Sequence, residues 1–192
     1  PWLAEKYEFI NENTVKITLK DNIYFTSGNK MTGAAVKACL EDLISRHNRA
    51  RVDLKITGIT DEGQTVTITS AAKVPVLINY LCDPYGCIID MSRGTGDDTK
   101  ISGTGPFMVE SLTPKEVVLV KNPAYYGGVP KTDRIIISSI TDGNTLALAL
   151  QNGEIDAAQG LPYASLPLFK DSAAYKTSST DTSRTFLSLI HI

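Results

Sequence analysis

Apolar and polar positions alternate from residue 7 to residue 20, with Val15, Ile17 and Leu19 on one face and an Asn11-Glu12-Asn13 turn ahead of them. Successive side chains of a strand point to opposite faces, so this stretch predicts a hairpin with one buried face. The period then changes. Ala35, Val36, Cys39, Leu40, Leu43 and Ile44 recur at helical spacing behind Thr32. The Thr32 hydroxyl suits an N-cap, and a helix is predicted over 32–46. Two strand-like runs, 53–59 and 64–69, flank Asp61-Glu62-Gly63, which signals a hairpin turn. Residues 74–81 are a short apolar run with Pro75 placed for the first turn of a helix. Asp83-Pro84-Tyr85-Gly86 breaks that helix before a predicted strand at 87–89.

A stretch rich in Gly, Ser and Thr, with the adjacent pair Asp97-Asp98, fills 92–105 and reads as a linker. Beyond it the pattern predicts strands at 107–112, 116–121 and 134–139, a helix at 144–152 and a strand at 155–158. The last three make a βαβ-like unit, which implies parallel pairing. The expected organisation is an α+β subdomain over 1–100, then part of an α/β lobe over 101–192, with a hinge crossing near 101–106.

Composition removes several function classes. The 192 residues carry 19 Lys and Arg against 21 Asp and Glu, a net charge of −2, with both signs interspersed. No basic stripe interleaved with aromatics points to nucleic acid. No apolar run approaches the roughly 18 residues that span a bilayer. Only His47 and His191 offer imidazoles, and neither sits in a cluster with metal-ligand spacing, so no protein-only metal site is expected. His47 closes a helix, where a cation favours the dipole. A hydrolase would need a nucleophile, base and orienter, and neither a Gly-x-Ser-x-Gly elbow nor a cysteine-protease signature is present. Catalytic residues and cofactors are therefore expected to be none. Cys82 and Cys87 bracket a turn, which leaves two readings: a disulfide between them, or three free thiols, Cys39 included, filling apolar space. The second is preferred.

A set of motifs in order carries more. Trp2-Leu3-Ala4-Glu5 is followed by Leu19-Lys20-Asp21-Asn22-Ile23-Tyr24-Phe25 with Ser27-Gly28, and by a helix opening at Met31-Thr32. Then come Gly103-Thr104-Gly105-Pro106-Phe107, Lys121-Asn122-Pro123-Ala124-Tyr125-Tyr126-Gly127-Gly128 and Gln151-Asn152-Gly153-Glu154-Ile155-Asp156. In this order and at these separations the chain resembles the extracellular solute-binding proteins of family 5, which serve peptide, nickel and opine ABC importers.

The resemblance implies a type II periplasmic-binding-protein architecture, α/β with an α+β subdomain, truncated here at both ends. It implies a non-catalytic protein that captures a solute outside the cell and delivers it to ABC transporter permease subunits. The default ligand is a short peptide, with nickel or a metal-chelate as the alternative; an α/β hydrolytic enzyme is the reading from a different class. Membrane association is expected only through the permease or an upstream lipid anchor. By resemblance, Asp83, Tyr85 and Gly86 lie in a loop at the cleft edge, and Asn48 and Arg49 face the same region. Gly103, Gly105 and Pro106 are the hinge candidates, and Tyr125 and Tyr126 are read as a structural plug. The segment 184–192 reads as a buried strand, and Leu189-Ile190-His191-Ile192 departs from the family's usual continuation.

Overall fold

The computed structural model describes residues 2–93, 101–170 and 173–178. The expected strand at 184–192 and the middle of the expected linker, residues 94–100, lie outside them. The chain divides into two compact units, Pro1–Ser138 and Ser139–Ile192.

The first unit opens with the predicted hairpin, β1 (Ala4–Asn11) and β2 (Thr14–Leu19). Helix α1 (Gly33–Arg46) begins where Thr32 accepts the Ala35 amide on its hydroxyl. Helix α2 (Asn48–Leu54) follows after a single residue, His47, which closes one helix and opens the next. It ends at Lys55, whose φ of 49° is left-handed, and this turn aims the chain into β3 (Ile56–Glu62) and β4 (Thr65–Ser70). The four strands pair antiparallel in the order β1-β2-β4-β3. Val15, Val66, Ile68 and Ile59 make the sheet's inner face, and α1 lies over β3 and β4. Approach there is close: a Cβ on Gly33 would stand 2.6 Å from the Thr65 carbonyl oxygen. Helix α3 (Val74–Leu81), with Pro75 in its first turn, closes the core through Val74 and Leu77.

Two expectations fail in this half. Residues 53–55 belong to the end of α2 and its cap rather than to a strand, because the short helix continues the turn that α1 began. Residues 87–89 run as irregular chain; the Cys87 carbonyl and the Ile89 amide meet the Cys39 side chain, and the Asp90 amide that follows donates to the Ser102 carbonyl of the crossing.

A separate sheet follows, built from β5 (Phe107–Leu112), β6 (Glu116–Lys121) and β7 (Arg134–Ser138) in sequence order, all antiparallel. In the second unit, Asp142 accepts the Thr145 amide to cap α4 (Gly143–Gln151), and the short α5 (Pro167–Lys170) carries the buried Phe169. The expected strand at 155–158 does not form, so the parallel βαβ pairing is absent among the described residues. A strand needs a partner for its ladder bonds, and among the described residues none pairs with 155–158. No described helix is long and apolar enough to cross a membrane.

Candidate ligand-binding site

The loop after α3 is fixed by sterics. Pro84–Gly86 forms a 3-10 turn in which the Gly86 amide donates to the Asp83 carbonyl and the Cys87 amide to that of Pro84. A Cβ on Gly86 would come within 1.8 Å of the Leu81 carbonyl oxygen. Only glycine lets the chain fold back over the end of α3. The Asp83 carboxylate makes no capping bond and is exposed.

Tyr85 reaches from this turn to α2, where its hydroxyl donates to Asp53 Oδ2 at 3.1 Å. Arg49 pairs with the same oxygen at 3.5 Å, one helical turn back along α2. Burial, the bond to Asp53 and that carboxylate's charge all push the Tyr85 phenol up. The structure therefore joins Tyr85 and Arg49 through Asp53. Asn48 instead accepts a hydrogen bond from Arg51 on its own helix, and Gly86 serves the turn. The sequence reading missed Asp53 because it assigned that residue to a strand. The Arg49/Asp53 spacing of four residues on a helix is the signal that would have found it.

Beside this cluster lies a cavity of about 110 Å³, lined in part by Cys39, Arg46, His47, Pro84, Cys87 and Met91. Small-molecule sites usually enclose about 300–1,000 Å³, so it does not hold a peptide by itself. Among the described residues no group of three His, Cys, Asp or Glu could hold a metal ion. Cys39 is buried, whereas Cys82 and Cys87 are exposed and all three are free. The three thiols are free, as preferred, but only Cys39 fills the interior: Cys82 and Cys87 are exposed, and Cys87 also lines the cavity.

The crossing at 101–106 is held from both sides. Gly103 accepts the Thr26 amide at 2.9 Å, and Pro106 accepts the Asn122 amide at 2.8 Å. Asn122 Nδ2 donates to the Gly105 carbonyl at 2.9 Å, and Asn122 is 2% exposed. Ser102 Oγ accepts from Thr26 Oγ1 and from the Ser27 amide. Next to it Asp90, 7% exposed, accepts from Ser27, Asn29 and Ser92. Burial alone would raise that carboxyl. The hydroxyl, amide and backbone donors outweigh it and hold the group at about 2. Tyr126 packs against the core of the four-stranded sheet with Lys20 Nζ 5.4 Å from its ring centroid and the Tyr125 ring tilted against it at 4.7 Å. Burial, together with the bond to Tyr125, pushes the Tyr126 phenol up to about 12.

Residues 1–190 match the family model of bacterial extracellular solute-binding proteins, family 5. The chain belongs to that family. Among family 5 relatives, the nickel-binding protein NikA of Staphylococcus aureus is 29% identical over 186 residues, covering 96% of this chain and 38% of its own length. The glutathione-binding protein GsiB of Salmonella typhi is 33% identical over 174 residues, covering 84% of this chain and 34% of its own. The chain thus spans little more than a third of the length of these curated relatives. The crystal structure of Staphylococcus aureus NikA in complex with Ni(L-His)2 superposes with a TM-score of 0.83 at 28% identity, over 89% of this chain and 37% of that one. A nickel ABC transporter structure from Bacillus halodurans gives 0.83 at 32% identity, over 90% and 36%. The fold is that of the type II periplasmic binding proteins, over part of their length.

Proposed function

We propose that this chain is part of a non-catalytic solute-binding component of an ABC importer, which captures a small solute outside the cell and presents it to permease subunits. The match of residues 1–190 to the family model carries this reading. In it, residues 1–100 form the α+β subdomain and 101–192 part of the lobe beside the cleft. Gly103, Gly105 and Pro106 make the joint between them. Asp83, Tyr85, Gly86, Asn48 and Arg49 stand at the cleft edge, with Asp53 organising Tyr85 and Arg49. The protein works outside the cytoplasm, held near the membrane by its permease or by a lipid anchor.

For the solute, a nickel chelate is the first reading. The NikA match spans 96% of the chain, and two nickel-protein structures superpose at 0.83. The described residues hold no cluster of three His, Cys, Asp or Glu for an ion, so in this reading this part of the protein meets the chelate rather than the bare metal. A short peptide is the second reading, favoured by the higher identity, 33%, to the glutathione-binding relatives. The test is calorimetry on the full-length protein with nickel plus histidine, nickel alone, glutathione and a set of short peptides. Tight binding of the nickel–histidine mixture alone supports the first reading. Binding of glutathione or peptides alone selects the second, and no binding by any of the four overturns both.

A further inference from the structure

We propose that Cys39 and Cys87 are the pair this fold cross-links under oxidising conditions, and that Cys82 takes no part. The two residues come from distant parts of the chain, the middle of α1 and the segment after the 3-10 turn. Both line the same small cavity, and Cys82 is not among its lining residues. The Cys39 thiol lies against the backbone of the Cys87 segment: it donates to the Cys87 carbonyl at 3.8 Å and accepts the Ile89 amide at 3.4 Å. With that contact, standard bond lengths cap the separation of the two Cα atoms at about 9 Å. A disulfide needs about 7 Å or less and Cβ atoms that face each other, so closure takes a Cα shift of at most about 2 Å and an inward turn of the exposed Cys87 side chain. Residues 87–89 are irregular chain outside any ladder, so Cys87 can move without breaking strand pairing, while Asp90 beyond it stays pinned. The cavity gives the sulfurs room to turn toward each other. The sequence-adjacent pair has no such arrangement. Cys82 caps α3 and is exposed, and the turn that separates it from Cys87 is fixed by Gly86 against Leu81.

The chemistry is thiol–disulfide exchange with a low-molecular-weight disulfide such as glutathione disulfide. The exposed Cys87 thiolate attacks one sulfur of that disulfide, forming a mixed disulfide and releasing one glutathione thiolate. Cys39 loses its proton and attacks the Cys87 sulfur, releasing the second. The two cysteines give up two electrons and two protons, and one glutathione disulfide becomes two glutathiones. Burial pushes the Cys39 thiol up, so less of it stands as thiolate for the second step. The bridge would tie α1 to the segment leading into Asp90.

That the protein meets such a compartment rests on the extracytoplasmic reading above; the geometry does not. The full-length protein is therefore oxidised in the test tube with glutathione disulfide, alkylated under denaturing conditions and peptide-mapped with and without reductant. The expected result is a cross-linked peptide containing Cys39 and Cys87, kept in Cys82→Ser and lost in Cys87→Ser. Loss of the bridge should also lower the melting temperature by several degrees relative to the oxidised parent. Because Cys87 is exposed, its serine variant should fold even if Cys39→Ser does not. A dominant Cys82–Cys87 peptide, or three thiols that all remain alkylatable after oxidation, overturns the proposal. A bridge that forms in the tube but is absent from protein taken from its native cells counts against the extracytoplasmic reading alone.

Discussion

Ser27 Oγ donates to Asp90 Oδ2 at 2.6 Å, joining residues 63 apart in sequence. The bond pins the loop between β2 and α1 to the segment that runs toward the crossing at 102–106, and Asn29 adds a second donor to the same oxygen. The other oxygen takes the Ser92 amide and hydroxyl. Among the described residues no cation pairs with this carboxylate; neutral donors hold its charge there.

Acid should therefore loosen this corner. The folded pKa of Asp90, about 2, lies below the ordinary 3.8, so its contribution is present above the ordinary value and is lost as pH falls through the folded one. A shift of that size corresponds to about 2 kcal/mol. Asp90→Asn should cost about 1–3 kcal/mol at neutral pH, because donors are left facing an amide. It should also flatten the decline in stability below about pH 4. Urea unfolding across pH for parent and variant is the measurement; parallel pH curves would show that Asp90 is not the group responsible.

Two glycines should respond in opposite ways. Gly86→Ala places a methyl 1.8 Å from the Leu81 carbonyl oxygen and should destabilise by more than about 2 kcal/mol or prevent folding. Gly103→Ala meets nothing within 4 Å and should shift stability by less than about 1 kcal/mol. If the crossing bends during closure, Gly103→Ala should weaken ligand affinity several-fold at an unchanged melting temperature. Unchanged affinity would remove the hinge role from this position.

Asn122 satisfies four backbone partners at once: its side chain donates to Gly105 and accepts from Ala124, its amide donates to Pro106 and its carbonyl accepts from Tyr125. Asn122→Ala keeps the two backbone bonds and strands the two side-chain partners in a buried place. The expected loss is about 2–4 kcal/mol, read from chemical denaturation. A loss under about 0.5 kcal/mol would mean that water replaces the side chain.

Tyr85→Phe separates packing from hydrogen bonding. The ring stays while the bond to Asp53 goes, so stability should fall by only about 0.5–1.5 kcal/mol. If Tyr85 faces the solute, affinity should fall further in Tyr85→Ala than in Tyr85→Phe. Equal affinities for parent and both variants in the full-length protein would take Tyr85 out of the site.

The sequence by itself determined the pieces whose information is local. The hairpin of β1 and β2, the Thr32 cap and α1, the Pro75-led α3, strands β5 to β7 and α4 all followed from periods, caps and turn residues a few positions apart. The ordered motifs likewise gave the family. Tertiary structure decided what depends on neighbours far along the chain. Helix α2 has seven residues and no side-chain cap; its left-handed exit at Lys55 and its fit under α3 leave no periodic trace. Residues 87–89 and 155–158 look like strands, yet strand character is fulfilled only by a partner, and among the described residues none pairs with them. Asp90 with Ser27 and Cys39 with Cys87 are ordinary polar and sulfur positions in sequence. Their environment arises only when the crossing folds back on the first sheet, because burial and charge are properties of what surrounds a side chain.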